Sequence, residues 1–217
     1  MAASELLNHL KFIYNQRVGG FSVSEMPHFD QDGLTHFMGR LSESISYLEY
    51  GCGGSTFQAA RLRKEFVSIE GDPFFLRAVR KKILDDFGQI SGNLIYADIG
   101  LTGKWGYPLL KKPTIARLRR WRDYAEKPWR LIKSIPDLIL IDGRFRVHCA
   151  LYSISKTRNH EVEILFDDYE RRDHYREIEK FAQLTQMQGR MAVFRPKVSI
   201  DIADLHSSIE KYSRDYR

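Results

Sequence analysis

Residues 45–56 read ISYLEYGCGGST, and this stretch decides the fold. A short apolar run ends in glycines, and Ser55 follows at a position that suits the N-cap of a helix. The glycines allow a tight turn and the close approach of a ligand, toward which the first N–H groups of the helix would point. The turn is also compatible with a purely structural connection. Its spacing matches neither the dinucleotide fingerprint GxGxxG nor a Walker A loop.

Strand and helix patterns alternate along the rest of the chain. Strands are predicted at 45–51, 66–72, 93–100, 136–143 and 162–169, helices at 55–65, 73–87, 144–157 and 171–184, and a last strand and helix at 189–196 and 202–216. The strand patterns are continuously apolar, which is typical of parallel strands that are covered on both faces. The sequence therefore predicts an α/β fold, a Rossmann-like, doubly wound, mostly parallel sheet with helices on both faces.

A small helical extension is predicted ahead of this sheet. Apolar residues recur there at helical spacing, at Leu6, Leu7, Leu10 and Ile13. A glycine pair and a proline interrupt the pattern before a second helix. We predict that residues 1–40 form the extension and that residues 41–217 form one Rossmann-like domain.

The composition excludes several classes of protein. The 217 residues are 43% apolar and carry a formal net charge of +6, which fits a globular domain and excludes a disordered chain. No apolar run approaches the ~20 residues that span a bilayer, and the first residues lack the pattern of a signal peptide. Two cysteines cannot build a disulfide framework or a Cys-based zinc site. We expect a cytoplasmic protein without a membrane partner.

The positive charge is concentrated in residues 101–135. This segment holds ten Lys and Arg against two acids, so the rest of the chain has a net charge of −2. Three tryptophans and two tyrosines accompany the charges, which is the composition of a lid or a binding surface. Its ligand would be a small-molecule or saccharide acceptor, or nucleic acid. The alternative is a solvated helix that rests its tryptophan on the core.

Polar clusters follow the predicted strands, at Glu49–Ser55, Glu70–Asp72, Asp98, Asp142–Arg146 and Asp167–Tyr169. The carboxyl ends of parallel strands lie along one edge of a sheet, where ligands bind. Glu70 lies 19 residues after Gly51, a separation at which an acid can accept both hydroxyls of a ribose. Asp98, after the third strand, suits an adenine amino group.

These motifs resemble those of the class I S-adenosylmethionine-dependent methyltransferases. The similarity covers about residues 45–195 and is closer still to bacterial methyltransferase-like proteins with EYGCGGST, DGRFRV and LFDDY motifs. It implies S-adenosylmethionine as cofactor, bound by Glu49, Gly51, Gly53, Gly54, Ser55, Glu70, Gly71, Asp98 and Ile99. Glu49 and the glycine turn would hold the methionine part, Glu70 the ribose, and Asp98 with Ile99 the adenine. Ser55 replaces the third glycine of the commonest motif, as in small-molecule O-methyltransferases.

Three carboxylates, Asp142, Asp167 and Asp168, would converge at the ends of the fourth and fifth strands. They suit Mg²⁺, and the arrangement is similar to metal-dependent O-methyltransferases, in which the metal lowers the pKa of a substrate hydroxyl. Alternatively, Arg144 and Arg146 neutralise these acids without a metal or grip an anionic substrate.

His148 follows Arg144 by four residues and is a candidate general base, with a packed or solvated helix histidine as the alternative. The catalytic candidates are thus Asp142, Arg144 and His148, and the substrate-binding candidates are Arg146, Asp168, Tyr169 and Trp105. The resemblance implies O-methylation of a small or saccharide-like anionic acceptor. The alternatives are a nucleic-acid-binding protein or RNA methyltransferase that uses the basic segment, and a cofactor-binding pseudoenzyme. Against nucleobase methylation, the fourth strand ends in IDGR rather than in an Asn/Asp-Pro-Pro-aromatic motif.

Overall fold

A seven-stranded sheet forms the centre of the molecule in the computed structural model, which describes Leu7 and residues 11–217. The strands are β1 (Ser46–Tyr50), β2 (Glu65–Glu70), β3 (Asn93–Tyr96), β4 (Leu138–Ile141), β5 (Glu163–Phe166), β6 (Ala182–Gln188) and β7 (Met191–Pro196). Their order is β3-β2-β1-β4-β5-β7-β6. Strands β1 to β5 are parallel, and β7 runs antiparallel to both β5 and β6. The predicted Rossmann-like, mostly parallel fold is confirmed.

In the part of the chain that the structure describes, six α-helices connect and cover the strands: α1 (Gln31–Glu43), α2 (Gly54–Arg61), α3 (Pro73–Phe87), α4 (Ile115–Glu126), α5 (Arg146–Thr157) and α6 (Ile202–Tyr212). Shorter turns are a π-helix at Asn15–Gly19 and 3₁₀ helices at Lys104–Gly106, Lys127–Arg130 and Asp173–Lys180. Within the described part of the chain, no helix is long and apolar enough to cross a membrane.

The continuous apolar strands are buried because helices cover both faces of the sheet. Alternate residues of a strand point to opposite faces. Tyr47 of β1 packs with side chains of α1, α2 and α3, whereas Leu48 and Tyr50 pack with side chains of α4, α5 and α6. Each strand therefore needs apolar residues at successive positions, and the predicted pattern follows from this two-sided burial.

Local capping fixes the predicted bounds of α3. Pro73 stands at the first helical position, and the Asp72 carboxylate accepts hydrogen bonds from the N–H groups of Phe74 and Phe75. Gly88 ends the helix in the left-handed conformation with a φ of 72°. Caps of this kind can be recognised in the sequence, and the prediction of a helix at 73–87 is confirmed.

The predicted helix at 171–184 is wrong in its last residues, 182–184. The structure has a 3₁₀ helix at Asp173–Lys180 and then the strand β6, which pairs only with β7 at the edge of the sheet. Most side chains of β6 are exposed or half-buried, so the strand lacks the apolar run that marks the central strands. A polar edge strand is difficult to distinguish from a helix by its sequence pattern.

The N-terminal prediction is tested only in part. Leu6 and Leu10 lie outside the described residues, whereas residues 11–14 are helical and lead into the π-helix. Phe37 and Leu41 of α1 are fully buried against the sheet. The division between residues 1–40 and 41–217 stays a prediction.

The basic segment 101–135 contains a required part of the fold. Parallel strands of one sheet need a crossover connection, and α4 lies in the crossover from β3, at the edge of the sheet, to β4, which pairs with β1. Trp121 and Tyr124 of α4 are buried in the core that lies on this face of the sheet. The alternative of a helix that rests its tryptophan on the core is confirmed, and a lid formed by the whole segment is wrong.

We therefore expect the tryptophans of this segment to contribute very differently to stability. Trp121→Ala removes a fully buried ring and should lower the free energy of unfolding by about 3–5 kcal/mol. Trp105→Ala, at a side chain that is 71% exposed, should change it by no more than about 0.5 kcal/mol. Urea denaturation followed by far-UV circular dichroism measures both. A Trp121→Ala protein as stable as the wild type would contradict this assignment of α4.

Candidate functional site

Two glycine turns meet at the carboxyl edge of the sheet. Gly51 follows β1 with a φ of 98°, and a Cβ there would lie 2.7 Å from the Cα of Gly143, which follows β4. A Cβ on Gly143 would in turn collide with the hydroxyl of Tyr124. The turn after β1 and the turn after β4 therefore depend on glycine for close approach. This contact lies at the switch point between β1 and β4, where open parallel sheets bind ligands.

Glu49 lies beneath the first turn and is fully buried. Its carboxylate accepts hydrogen bonds from the hydroxyls of Ser55, Thr56 (2.6 Å) and Ser68 (2.7 Å). Burial raises the pKa of Glu49 to about 7, although these hydroxyls act to lower it. The two side chains bind each other below the turn, and the predicted contact of Glu49 and Ser55 with the cofactor stays a prediction. Ser55 is also not the N-cap, a position that Gly53 occupies.

The remaining glycines of the turn have different surroundings. A Cβ on Gly54 would overlap the backbone of Met26 and Pro27, so the chain that precedes α1 covers this side of Gly54. Its predicted cofactor role stays a prediction. A Cβ on Gly53 would meet nothing within 4 Å, so this glycine is the one that borders open space.

Glu70 ends β2 with a carboxylate that backbone groups hold in place. It accepts hydrogen bonds from the N–H groups of Gly71 (2.7 Å), Asp72 (2.8 Å) and Cys52 (3.3 Å). Burial raises the pKa of Glu70 to about 7. Because Cys52 belongs to the glycine turn, Glu70 connects the ends of β1 and β2.

Asp98 and Ile99 follow β3 and have opposite surroundings. The carboxylate of Asp98 is half exposed, lies 3.1 Å from a guanidinium nitrogen of Arg120 and accepts a hydrogen bond from the N–H of Gly100 (3.0 Å). Ile99 is buried beside Gly71, where a Cβ would lie 2.6 Å from its side chain. Gly71 and Ile99 thus pack against each other, and only Asp98 presents a side chain to solvent.

Arg146 connects the ends of β4 and β5. It is 3% exposed and donates to the carbonyl of Gly143 (3.0 Å), to the carbonyl of Asp167 (2.7 Å) and to the carboxylate of Asp142 (3.2 Å). These protein groups use the donors of Arg146, and its predicted role in substrate binding stays a prediction. Burial raises the pKa of Asp142 to about 7, and the neighbouring Arg146 opposes this shift.

The other two acids also have arginine partners. Arg190 donates to both oxygens of Asp167, at 3.0 and 2.9 Å, and Asp168 accepts a hydrogen bond from Arg172 at 3.0 Å. Within the described residues, no group of three or more His, Cys, Asp or Glu side chains is arranged to hold a metal ion. The residues present therefore do not fit the predicted Mg²⁺ site of Asp142, Asp167 and Asp168.

Tyr169 is a core residue. Its hydroxyl donates to Glu179 (2.7 Å), and its ring packs against Phe166 and Phe194. Both the ring and the hydroxyl of Tyr169 contact the protein, and its predicted contact with a substrate stays a prediction. Asp168 has a φ of 57°, and its carboxylate is turned toward the arginines.

His148 is fully buried in α5. Burial lowers its pKa to about 4, with Arg122 of α4 as the second cause, and neither ring nitrogen has a hydrogen-bond partner in the described part of the protein. The burial of the ring favours the alternative of a packed helix histidine, and the predicted role of His148 as a catalytic base stays a prediction.

A hairpin around residues 102–108 covers the site, closed by a bridge between Thr102 and Pro108. A Cβ on Gly106, within the hairpin, would lie 3.9 Å from both Glu70 Oε1 and Arg144 Cγ, so the hairpin passes between these two side chains. Trp105 is next to it but projects into solvent, 71% exposed, with a φ of 60°. Its predicted contact with a substrate stays a prediction.

Sequence reasoning missed two features of this cover. Gln16 of the π-helix donates to Asp72 and, at 3.3 Å, to Thr102, whose hydroxyl also donates to Asp72 at 3.0 Å. Tyr107 stacks on Arg144, with 4.2 Å between the guanidinium carbon and the ring centre. No local sequence pattern predicts either contact, because the partners in each pair lie 30 or more residues apart in the chain.

Comparisons with known proteins agree with this geometry. Neither a protein-family model nor a curated protein matches the chain. Among solved structures, the chain is similar to a methyltransferase-like protein from Silicibacter pomeroyi, with 32% identity over 88% of this chain and 100% of that chain and a TM-score of 0.75. The SAH-bound Podospora anserina methyltransferase PaMTH1 shares 14% identity over 91% of this chain and 97% of that chain, with a TM-score of 0.50, and supports the fold alone.

The buried Glu49 should make stability depend on pH. Its pKa is about 7 in the folded protein and near 4.5 in the unfolded chain. At a pH between these two values, the side chain is deprotonated in the unfolded chain but still protonated in the folded protein. The free energy of unfolding should therefore fall as the pH rises from 4.5 to 7, by on the order of 2–3 kcal/mol from this group. Glu49→Gln should make the fall shallower, as measured by urea denaturation at pH 5, 6 and 7.

The matched control is Glu43→Gln, at a side chain that is 67% exposed, which should leave the pH dependence unchanged. An identical slope for wild type and Glu49→Gln would show that Glu49 keeps an ordinary pKa in the folded state.

Proposed function

The chain belongs to the class I S-adenosylmethionine-dependent methyltransferases, and on that premise we propose that it methylates an oxygen of a small or saccharide-like anionic acceptor. The cofactor supplies an electrophilic methyl group, so the protein has to align donor and acceptor and remove one proton. The observation that carries the proposal is the position of Asp142. This carboxylate follows β4 at the switch point of the sheet, directly beside the contact between Gly51 and Gly143.

Three of the predicted residues fit the cofactor. Gly53 borders open space, so its backbone suits the methionine part. The Glu70 carboxylate is oriented by three N–H groups and suits the two hydroxyls of a ribose. Asp98 is half exposed and suits an adenine amino group. In this proposal, Glu49 and Ser55 support the turn from below.

Asp142 would accept the proton of the acceptor hydroxyl. A carboxyl with its ordinary pKa of 3.8 is a weak base, whereas burial raises the pKa of Asp142 to about 7, close to the working pH of a general base. The carboxylate is 31% exposed and therefore within reach of a substrate, and Arg146 fixes its orientation. No step uses a metal ion, because the arginines already neutralise the three acids that would bind it.

A nucleic-acid acceptor is not favoured by the contacts of the basic segment. Several of its arginines form ion pairs within the protein, namely Arg120 with Asp98, Arg122 with Glu210, and Arg130 with Asp123. These pairs reduce the positive charge that phosphates could use.

The cofactor part of the proposal is tested by titration calorimetry with S-adenosylhomocysteine. Glu70→Ala removes a charged acceptor of two hydroxyls, which should weaken binding by about 10- to 150-fold. Glu65→Ala, at an exposed position of the same strand, is the control and should leave the affinity unchanged. An unchanged affinity in a folded Glu70→Ala protein would exclude Glu70 from the cofactor site.

The catalytic part is tested by S-adenosylhomocysteine release with a panel of hydroxylated carboxylic acids. Asp142→Asn should lower kcat by roughly 10²- to 10⁴-fold and leave the affinity for S-adenosylhomocysteine within a few-fold, since the variant loses the base but keeps the cofactor contacts. For the wild type, kcat/KM should rise as the pH passes through about 7.

Two results would contradict this mechanism. Full activity of Asp142→Asn would remove Asp142 from the chemistry. Loss of activity in EDTA with recovery in Mg²⁺ would show that a metal, and not the arginine network, completes the site.

A further inference from the structure

Arg144 differs from the other arginines at the strand ends because its guanidinium faces an aromatic ring and not a carboxylate. It is 9% exposed, and its Nη1 has no hydrogen-bond partner among the described residues. Arg146, Arg172 and Arg190 all form ion pairs with carboxylates, whereas no ion pair of the described part of the chain includes Arg144. A buried guanidinium without an anion is costly, so a residue of this kind is expected to have a partner outside the chain.

The surroundings of Arg144 place it beside the site. Its backbone is fixed by the glycine turn after β4, where its N–H donates to the hydroxyl of Tyr124 (3.4 Å). One face of the guanidinium is covered by the ring of Tyr107, which itself contacts Tyr216 edge to face at 6.4 Å. Nη1 is buried and lacks a hydrogen-bond partner among the described residues, so it is the group that a bound carboxylate would satisfy.

The charges near Arg144 restrict what it can bind. Glu70 lies on the other side of the hairpin residue Gly106, and Asp142 is two residues before Arg144 in the chain. Glu70 and Asp142 repel a dianionic phosphate, and the single guanidinium of Arg144 balances only one of its two negative charges. A planar carboxylate also matches two parallel N–H groups of an arginine.

We propose that Arg144 binds a single carboxylate of the acceptor, so that the substrates are hydroxy acids whose hydroxyl is directed toward Asp142. This inference rests on the proposed methyltransferase function and narrows its acceptor to carboxylates. Arg144 is then the residue that determines specificity. Tyr107 forms the wall of the subsite and brings the hairpin over the bound acid.

The test uses the full chain saturated with S-adenosylhomocysteine and titrated with matched probes. The probes are 4-hydroxybenzoate and its uncharged amide, lactate and lactamide, and phenyl phosphate. For at least one pair, the acid should bind more tightly than the amide by on the order of tenfold or more, and more tightly than phenyl phosphate. Arg144→Gln should abolish the preference for the acid, and Arg144→Lys should keep part of it.

Controls separate this inference from the proposed function. Arg119→Gln, at an exposed arginine of α4, should keep the preference, and thermal denaturation shows that each variant is folded. Failure of the wild type to bind S-adenosylhomocysteine would overturn the proposed function and the inference together. With that binding intact, three results overturn the inference alone. They are equal binding of acid and amide in both pairs, a preference for phenyl phosphate, and an Arg144→Gln variant that loses S-adenosylhomocysteine, since Arg144 would then hold the carboxylate of the cofactor.

Discussion

The close approach of the backbone at Gly51 and Gly143 is the constraint on which the site depends. It brings the end of β1 against the end of β4, with a side chain excluded at both positions. Because Gly143 carries no Cβ, the hydroxyl of Tyr124 can reach this turn and accept from the N–H of Arg144. Arg146 donates to the carbonyl of the same glycine. A backbone contact of two glycines thus sets the directions of the two arginines that follow it.

The acids along this edge of the sheet are stabilised in three different ways. Hydroxyls surround Glu49, backbone N–H groups hold Glu70, and guanidinium groups neutralise Asp142, Asp167 and Asp168. Burial is the dominant effect on Glu49, Glu70 and Asp142 alike, so the pKa of each is raised to about 7, although Arg146 acts to lower that of Asp142. A similar pKa therefore arises at a residue that supports the turn, at one that faces the proposed cofactor and at the proposed base. A raised pKa alone does not identify a catalytic residue.

The sequence predicts the fold well because its signals are local. Pro73, Asp72 and Gly88 define a helix within a few residues of its ends, and the apolar runs of the central strands follow from burial on both faces. The polar edge strand β6 carries no such signal, and the sequence pattern predicts a helix over its first residues. The sequence also predicts which polar residues stand at strand ends, but not what they touch. Ser55 and Tyr169 stand at suitable positions, yet their hydroxyls bind Glu49 and Glu179.

The contact of Gln16, Asp72 and Thr102 joins three segments that are distant in the chain. One oxygen of Asp72 caps α3, and the other accepts hydrogen bonds from Gln16 and Thr102, which are 56 and 30 residues away along the chain. The π-helix and the hairpin therefore share one carboxylate with the first turn of α3. Loss of this single side chain would remove the cap of α3 and release both covering segments together, so the cover of the site is coupled to a helix that packs on the sheet.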